Sequence, residues 1–570
     1  MNNESRLWWK NTVIYHIYPR SFYDTNDDGI GDLNGIREKV AYLSELGVGA
    51  IWMGPVFTSP QVDNGYDIAN YREIDPLFGT LEDMDALIAA TEEAGIRVLL
   101  DLVFNHTSDR HPWFVASQSG RNGDYHDYYI WRDPAPNGGP PNDWMAWFGG
   151  SAWTYNPHRE QYYLNLFTPQ QPDLNWENPA VRKELVDIAN FWLDRGVAGF
   201  RMDVINLISK DFTGAGTWCD GPRVLEYLQE FRQNLHRRDE IVLVGETPGI
   251  TVDRARAYTL PENGALDMVL TFDHVMVDQS PTSKWVPQRW NTADLVEALL
   301  RYQEGLAPEC WNSIYASNHD QPRVVSRFGD DERYWYESAT ALATLFYLLP
   351  GTPIVYQGDE IGMINYPIKT MQDLVDVESR NAYNNFVDVE RCAPAEAIAR
   401  IAPVARDNSR TPMQWNGERH GGFTTAEKPW YPLNPTGEEI HVHRQMYGQN
   451  NGGAHGETRS ILRYYQHVIR LLKTDLFRSG TLNLLFSNDR AVLYARETPF
   501  ERALVMVNLC PHEALIPGEY LNNEGTPETY SYCVLSNTSV PELLISEDYH
   551  LPPFTAVVHL FGSVISGSSE

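Results

Sequence analysis

The chain has 570 residues, of which 42% are hydrophobic, so it is long enough for a large core and too long for one ordinary domain. Its formal net charge of −31 opposes binding to nucleic acid or anionic membranes and suits a protein that handles neutral ligands. The N-terminal sequence MNNESRLWWK lacks the apolar stretch of a secretory signal, and no apolar run is long enough for a membrane span. The five scattered cysteines favour a reducing compartment, so we expect a cytoplasmic protein.

Short β-branched runs recur along the first two thirds of the chain, and each ends in polar or charged residues. The eight runs are residues 13–18, 50–53, 98–103, 199–202, 241–244, 268–272, 313–316 and 353–356. Amphipathic stretches such as residues 81–95 and 179–195 lie between them. Buried strands that alternate with helices indicate an α/β fold, a (β/α)8 TIM barrel.

Three segments depart from this alternation. Residues 105–175 are rich in Gly, Pro, Asn and Trp and lack helical periodicity, which predicts a subdomain inserted after the third strand. A second irregular stretch, residues 364–425, follows the eighth strand, and short strands from about residue 480 predict a C-terminal antiparallel β-sandwich. The predicted domains are the barrel (1–104 and 176–479), the inserted subdomain (105–175) and the C-terminal domain (480–570).

Six polar groups of catalytic character follow four of the predicted strands. They are His106, Arg201, Asp203, Glu246, His319 and Asp320. Because the carboxyl ends of barrel strands meet at one face, where the active sites of such barrels lie, we expect these groups to converge. A single acid at a strand end is often a helix cap or a loop former, but six such groups on four strands are hard to explain by chance.

These segments resemble the four signature regions of the α-amylase superfamily of glycoside hydrolases. The likeness extends to the YHIYPRSF run at residues 15–22 and to the inserted subdomain. The QPDLN run at 171–175 and the RTPMQW run at 410–415 resemble the oligo-1,6-glucosidase branch of family 13. The resemblance implies a retaining α-glucosidase whose substrate is a small oligosaccharide and which needs no catalytic cofactor.

The resemblance also implies roles for the strand-end residues. Retaining cleavage needs one carboxylate that attacks the anomeric carbon and another that protonates the leaving oxygen. Asp203 would be the nucleophile, with its charge favoured by Arg201, and Glu246 the general acid and then base, with a raised pKa. Asp320 would grip sugar hydroxyls. His106 and His319 would hydrogen-bond the same sugar.

A pocket for the terminal glucose is implied around the NGYDI run at residues 64–68. In relatives the tyrosine, here Tyr66, stacks on the terminal glucose, while the aspartate, here Asp67, pairs with an arginine that Arg410 matches. A pocket closed in this way admits only a non-reducing end, which predicts exo cleavage. Val204, directly after the nucleophile, accompanies a preference for α-1,6 links in the branch; a β-branched strand residue is the alternative interpretation.

The leaving-group side departs from the branch pattern. The loop at residues 209–222 is short, and Thr247 stands where many relatives carry methionine. Ala316 lies in a region where relatives often carry tryptophan or asparagine. Alternatives on the same scaffold are an α-1,4-glucosidase or sucrose-cleaving enzyme, a trehalose-6-phosphate hydrolase with Lys284 and Arg289 as phosphate ligands, and a sucrose isomerase or transglucosidase. The arginine-rich loop of the isomerase is not matched at residues 276–280.

A different class of protein, a sugar-binding module or a barrel-bearing transporter partner, has no use for a complete acid and base set. No membrane anchor is found in the sequence either. We therefore expect an enzyme that is a monomer or a weak homodimer.

The run DTNDDGIGD at residues 24–32 places oxygen donors at alternate positions around a glycine turn. It resembles the first part of an EF-hand loop, which chelates a hard cation, although the twelfth position is Gly35 rather than Glu. Relatives with this loop bind one calcium. The predicted ligands of a structural Ca²⁺ or Mg²⁺ are Asp24, Asn26, Asp28, Ile30 and Asp32; an Asx-rich turn is the alternative.

Overall fold

A computed structural model describes most of the chain. The described residues are 7–213, 216–448, 459–521, 531–540, 543 and 547–562. The first six residues of the N-terminal tract, positions 214–215 of the short loop and the last eight residues of the predicted C-terminal domain lie outside the described residues. Within the described part, no helix is both long and apolar enough to cross a membrane.

Eight parallel strands form the barrel that the sequence predicts. They are β1 (Ile14–Ile17), β2 (Ala50–Met53), β3 (Arg97–Leu102), β4 (Gly199–Met202), β5 (Val242–Glu246), β6 (Met268–Leu270), β7 (Ser313–Tyr315) and β8 (Thr352–Tyr356). Their hydrogen-bonded order is β6-β5-β4-β3-β2-β1-β8-β7. The ring is completed between β6 and β7 by side chains, since Ser313 Oγ donates to the Val269 carbonyl at 2.6 Å and Tyr315 OH to the Thr271 carbonyl at 2.7 Å.

Alternate residues of each strand fill the barrel interior. Ile14, Trp52, Leu99, Val244 and Leu270 belong to one buried cluster, which Trp8 and Trp9 close at the N-terminal end. Because side chains alternate between the two faces of a strand, the next inward position towards the carboxyl end carries the polar groups of the site. The apolar layers therefore form a rigid floor under the site.

Helices cover the outside of the barrel, and several of them begin at capping residues. Thr80 and Asp83 form a capping box at Leu81–Glu93, and Asn178 caps Pro179–Asp194, whose Pro179 occupies the first turn. The remaining α-helices are Leu33–Glu38, Val40–Leu46, Pro112–Ser117, Val224–Gln233, Val252–Thr259, Thr292–Leu306, Val324–Phe328, Trp335–Tyr347, Val377–Asn384, Pro394–Ile401, Val442–Tyr447, Ile461–Leu472 and Asp475–Ser479.

Four irregular regions cover the carboxyl ends of the barrel strands. The segment after β3 contains a small antiparallel sheet of Trp131–Arg132, Trp153–Asn156 and Gln161–Leu164. A hairpin of Gln279–Ser280 and Ser283–Pro287 follows β6, and the 3-10 turn Arg406–Ser409 lies in the long stretch after β8. A two-stranded sheet of Phe57–Thr58 and Asn70–Ile74 follows β2.

The C-terminal region is an antiparallel β structure, as predicted. One sheet contains Thr481–Ser487, Ala491–Glu497, Glu501–Asn508, Ala556–Gly562 and Ser531–Ser536 in that order, and a second contains Ala514–Ile516 and Tyr549–Leu551. Leu493, Met506, Ile516 and Leu551 belong to one core between the two sheets. The buried Arg496 donates to the carbonyls of Leu348, Phe477 and Gly480, which ties this region to the barrel helices.

Candidate active site

Arg201 lies at the centre of the polar layer at the carboxyl end of the barrel. Its Nη1 donates to Asp101 Oδ1 at 2.8 Å and to Asp203 Oδ1 at 2.7 Å, and its Nη2 lies 2.5 Å from Glu246 Oε1. The strand register explains the arrangement, since Arg201 is paired with Asp101 on β3 and with Val244 on β5. Three strands thus deliver three carboxylates to one buried guanidinium.

The protons of Asp203 and Glu246 are controlled by burial and by Arg201. Burial raises the pKa of Glu246 to about 7 against the opposing charge of Arg201. Burial likewise raises the pKa of Asp203 against Arg201, and the neighbouring Asp101 adds to the rise. Because one cation faces three carboxyl groups, the cluster keeps a proton close to neutral pH. Such a cluster can supply one ionised and one protonated carboxyl group at the same time.

Val204, which follows Asp203, has a strained backbone. Its φ of 36° and ψ of 43° place a β-branched residue in the left-handed region, a conformation that costs of order 1–3 kcal/mol. In this conformation the Val204 N–H donates to Glu246 Oε2 at 3.0 Å. The strain therefore coincides with a hydrogen bond that fixes the second carboxyl group, while the Val204 side chain lines the cavity.

A second charged cluster closes one end of the site. Arg406 Nη2 lies 2.5 Å from Asp320 Oδ1, and Arg410 Nη2 donates to the same oxygen at 2.8 Å. Asp376 Oδ2 accepts from Arg410 Nη1 at 2.7 Å and lies 3.6 Å from Arg406 Nη1. Burial opposes the ionisation of Asp320, but Arg406 above all holds the pKa of this carboxyl well below its usual range. Asp320 is therefore a fixed anion.

The expected pair between Asp67 and Arg410 is wrong. The Asp67 carboxylate accepts from the backbone N–H of Val62 at 2.9 Å and of Asp63 at 3.0 Å, so it shapes its own loop. Asp63 and Arg406 occupy the cavity wall instead, with 3.5 Å between Asp63 Oδ1 and Arg406 Nη1. Each of these two residues lies four positions before the predicted one, and the short runs around Asp67 and Arg410 do not indicate which side chain points inwards.

The three predicted ring residues lie around this end of the cavity. Tyr66 and His106 line it, and Tyr66 OH donates to Asp101 Oδ2 at 2.9 Å. Burial lowers the pKa of His106 to about 4, so its imidazole is neutral. His319 is fully buried, and its ring stacks on Tyr66 with a centroid distance of 5.2 Å and an interplanar angle of 5°. The sugar contacts of these residues stay predictions.

Residues of the QPDLN run hold the side chains and loops around the site in place. The resemblance alone did not indicate this role. Gln171 Nε2 donates to Asp63 Oδ2 at 3.0 Å, which orients the carboxylate beside Arg406. Asp173 Oδ2 lies 2.7 Å from the buried Lys210 Nζ, which also donates to Asn105 Oδ1 at 2.8 Å. The inserted segment, the end of β3 and the loop after β4 are thereby joined by one buried ion pair.

The charged clusters form the bottom of a cavity of about 480 Å³. Its mouth lies between aromatic side chains of the inserted segment, such as Trp147 and Phe148, and the hairpin after β6 with Trp285. Trp147 is 47% exposed. Lys284 Nζ lies 2.5 Å from Glu378 Oε2 across the mouth. The cavity is lined by charged side chains at its closed end and by aromatic side chains at its mouth. Its volume suits a ligand of a few sugar rings.

The predicted cation loop is folded around its own side chains. Asp24 Oδ1 accepts from the N–H of Asn26 at 3.0 Å, and Asp28 Oδ1 accepts from the N–H of Ile30 at 2.8 Å. Asp32 caps the following helix through the N–H of Gly35. Among the described residues, no group of three Asp, Glu, His or Cys side chains is arranged to hold a metal ion. The donor set, which also includes an amide and the Ile30 carbonyl, is all oxygen and so fits a hard cation chemically.

Comparisons with known proteins agree with this geometry. The model of the family described as alpha amylase, catalytic domain, matches residues 16–480. The oligo-1,6-glucosidase of Parageobacillus thermoglucosidasius is 45% identical over 88% of this chain and 90% of its own length. The glucan 1,6-alpha-glucosidase of Streptococcus dysgalactiae subsp. equisimilis is 42% identical over 97% of this chain and 98% of its own. The crystal structure of Bacillus licheniformis trehalose-6-phosphate hydrolase superimposes with a TM-score of 0.90 at 38% identity, covering 98% of this chain and all of that one.

Proposed function

The chain belongs to the α-amylase family, and on that premise we propose that it is a retaining, exo-acting α-glucosidase that prefers α-1,6 links. The observation that carries the proposal is the position of the paired carboxyl groups of Asp203 and Glu246 in a cavity with a closed, charged end. Isomaltose, isomaltulose and short isomalto-oligosaccharides are the expected substrates.

The first half of the reaction uses the two carboxyl groups on the two arms of Arg201. Asp203 attacks the anomeric carbon as the carboxylate, and Glu246 gives its proton to the leaving oxygen. The glycosidic bond breaks as the bond to Asp203 forms, and the leaving sugar departs as an alcohol. In the second half, Glu246 removes a proton from water, which displaces Asp203 with a second inversion, so the α configuration is retained.

Exo cleavage follows from the closed end of the cavity. The Asp63, Arg406 and Asp320 cluster blocks any continuation of a sugar chain beyond the glucosyl unit that contacts Asp203. Asp320 and its arginines also offer charged hydrogen-bond partners to hydroxyl groups of that unit. A non-reducing terminus therefore fits, and an internal position of a long chain does not.

The α-1,6 preference is supported by the two relatives named for α-1,6 links and by Val204 in the cavity wall. A phosphorylated leaving group fits less well. Among the described residues that line the cavity, the permanently cationic side chains are Lys284 and Arg406, and each is paired with a carboxylate. Arg289, the other predicted phosphate ligand, is exposed and does not line the cavity.

Initial hydrolysis rates on a matched panel test the proposal. The panel holds isomaltose, isomaltulose, panose, maltose, sucrose, trehalose and trehalose-6-phosphate, and proton NMR records the anomer released first. Fastest release of α-glucose from isomaltose or isomaltulose is expected. Fastest release from maltose or sucrose would keep the two carboxyl roles and overturn the linkage, whereas fast cleavage of trehalose-6-phosphate would favour the phosphate alternative.

For the loop at residues 24–32 we propose one structural Ca²⁺ or Mg²⁺ that takes no part in the chemistry. The loop packs behind the closed end, since the Asp24 N–H donates to the Phe423 carbonyl and Ser21 Oγ to the Arg410 carbonyl at 2.6 Å. Chelation with EDTA should lower the melting temperature by about 2 °C if the cation is present at 100 times its dissociation constant. Added Ca²⁺ should restore the temperature without a change in kcat. The absence of any shift would exclude the cation.

Cellular location and quaternary structure stay predictions of the sequence. The five cysteines are all free thiols, which supports the predicted reducing, cytoplasmic compartment. A monomer or a weak homodimer is expected, and sedimentation of the purified protein at two concentrations distinguishes the two.

A further inference from the structure

The segment that follows Asp320 contains two buried arginines, one directly before a short helix and one within it. Arg323 directly precedes the helix Val324–Phe328, and Arg327 lies within it. The Arg323 side chain is fully buried, and the Arg327 side chain is 3% exposed. Neither side chain lines the cavity, so neither is expected to touch a substrate.

Arg327 holds the mouth of the cavity. Its Nε donates to Asp278 Oδ2 at 2.8 Å and its Nη2 to Asp278 Oδ1 at 2.6 Å, a bidentate pair. Asp278 directly precedes the hairpin after β6, and its carbonyl accepts from the Gln288 N–H at 2.7 Å, which closes the base of the hairpin. Arg327 Nη1 also donates to Gln321 Oε1 at 2.7 Å, and Gln321 lines the cavity.

Arg323 holds the opposite, closed end. Its Nη1 donates to the Gln357 carbonyl after β8 at 2.6 Å, and its Nη2 to the Ser409 carbonyl at 3.2 Å. Ser409 ends the 3-10 turn that begins at Arg406, and its carbonyl also accepts from Tyr356 OH at 2.7 Å. The turn that carries the arginine of the closed end is thus fixed to the barrel through Arg323.

We propose that Arg327 and Arg323 are positioning residues that fix the two ends of the pocket separately. Arg327 orients Gln321 and the hairpin for the leaving group, and Arg323 orients Arg406 for the terminal glucosyl unit. The assignment rests on the proposed function, in which the glucosyl unit occupies the closed end. It follows that a change at one arginine should alter one half of substrate recognition and leave the other half intact.

Lysine substitutions separate position from charge. A lysine ammonium keeps the charge, but it cannot donate to both oxygens of one carboxylate and at the same time to a third oxygen on another residue. Arg327→Lys should therefore free Gln321 and loosen the hairpin base at Asp278. Arg323→Lys should loosen the turn that carries Arg406. Both variants keep the net charge of the protein.

The measurement compares a substrate whose leaving group has hydroxyl groups with one whose leaving group has none. Isomaltose and 4-nitrophenyl α-glucoside serve, and the inhibition constant of deoxynojirimycin, a glucose-shaped cation, measures the closed end. Arg327→Lys should lower kcat/KM for isomaltose about tenfold more than for the aryl glucoside and leave the inhibition constant within about twofold. Arg323→Lys should raise the inhibition constant about tenfold and lower kcat/KM for both substrates by the same factor.

Gln321→Ala keeps the test decisive if Arg327→Lys does not fold. Gln321 is only half-buried, and its truncation should give the same loss of isomaltose selectivity without disturbing the Arg327 and Asp278 pair. Equal losses on both substrates in Arg327→Lys and in Gln321→Ala would overturn the proposal, as would a changed selectivity in Arg323→Lys. If the wild-type enzyme cleaved neither substrate, the proposed function would fail instead.

Discussion

The two ends of the cavity differ in burial and in chemical character. The closed end consists of buried charged side chains, with Asp320 held by Arg406 and Arg410 and a further carboxylate, Asp376, bonded to the same arginines. The mouth consists of loops and a hairpin with exposed apolar groups such as Trp147 and Met276, which are 47% and 48% exposed. A change at the closed end breaks a buried ion pair, whereas a change at the mouth costs little stability. Substrate range can therefore vary at the mouth while the glucosyl site stays fixed.

The charge balance of the two ends differs as well. One guanidinium, that of Arg201, faces three carboxyl groups at the catalytic cluster, and two guanidiniums face Asp63, Asp320 and Asp376 at the closed end. At the mouth, Lys284 and Glu378 form a neutral pair. In the proposed reaction, this surplus of negative charge lies where the oxocarbenium-like transition state develops positive charge, and a preorganised field of this sign stabilises it.

Replacement of the proposed nucleophile, Asp203, has the largest expected effect. Asp203→Asn keeps the shape of the side chain but removes the attacking charge, so kcat for isomaltose should fall by roughly 10⁴-fold or more. Stopped assays with chromatography of the released glucose measure the loss. Substantial residual hydrolysis would remove Asp203 as the nucleophile.

A matched control separates chemistry from folding. Asp267 is half-buried and also paired with an arginine, since its Oδ2 lies 2.8 Å from Arg232 Nη1, but it lies at the opposite end of β6 from the site. Asp267→Asn should lower the melting temperature and leave kcat almost unchanged. If both variants lost activity in parallel with stability, the loss in Asp203→Asn would reflect folding.

The glucosyl end is tested next by Arg406→Lys. The lysine can keep one contact to Asp320 but not the contacts to Asp63 and Asp376, so KM should rise for every substrate by a common factor of about 10 to 100. Trp285→Ala, at the mouth, should instead raise KM for long substrates more than KM for aryl glucosides. The reverse pattern would exchange the roles assigned to the two ends.

The same contrast between the two ends explains what the sequence could predict. All eight barrel strands are short, mostly apolar runs, and the predicted limits lie within two residues of the observed ones. Asp203, Glu246 and Asp320 could be placed because each lies at or shortly beyond a strand end, and strand ends converge in a parallel barrel. For these residues, the position at a strand end in the sequence also gives the position at the carboxyl face of the barrel.

The walls of the cavity could not be placed in this way. Asp63 and Arg406 lie on irregular turns, where spacing does not determine which of two nearby acids or arginines faces inwards, and the prediction chose Asp67 and Arg410. The mouth depends on contacts between distant segments, such as Lys284 with Glu378, which are 94 positions apart. Such contacts follow from the packing of loops, for which the local sequence contains no periodic signal.

The pH profile tests the catalytic cluster between the two ends, because Asp203 and Glu246 both pair with Arg201. As the proposed general acid, Glu246 must be protonated, and burial raises its pKa to about 7, so kcat/KM should fall tenfold per unit as the pH rises above that value. As the proposed nucleophile, Asp203 must be ionised, so kcat/KM should also fall as the pH drops below its pKa. Burial raises this pKa against the charge of Arg201, and Asp101 raises it further. A bell-shaped profile close to neutral pH is expected.

Asp101→Asn sharpens this prediction. Removal of the neighbouring charge lowers the pKa of Asp203, so the acid limb should move to lower pH. Glu378→Gln removes a carboxylate at the mouth and should leave both limbs in place. Initial rates with isomaltose from pH 4 to about pH 9 record the limbs. An acid limb that stays fixed in Asp101→Asn, or moves in Glu378→Gln, would contradict the assignment of Asp203.

Val204 lies where the two ends meet, and Val204→Ala has the smallest expected effect. The backbone N–H that holds Glu246 is retained, and alanine tolerates the left-handed φ of 36° better than a β-branched residue, so the chemistry should survive. The lost methyl groups widen the wall beside the leaving group, and the rate ratio of maltose to isomaltose should rise about threefold to tenfold. Val275→Ala removes the same atoms elsewhere in the cavity wall and should leave the ratio unchanged. If neither variant changes the ratio, the linkage preference is set entirely by the exposed groups of the mouth, and the division between a fixed glucosyl end and a variable leaving-group end becomes sharper still.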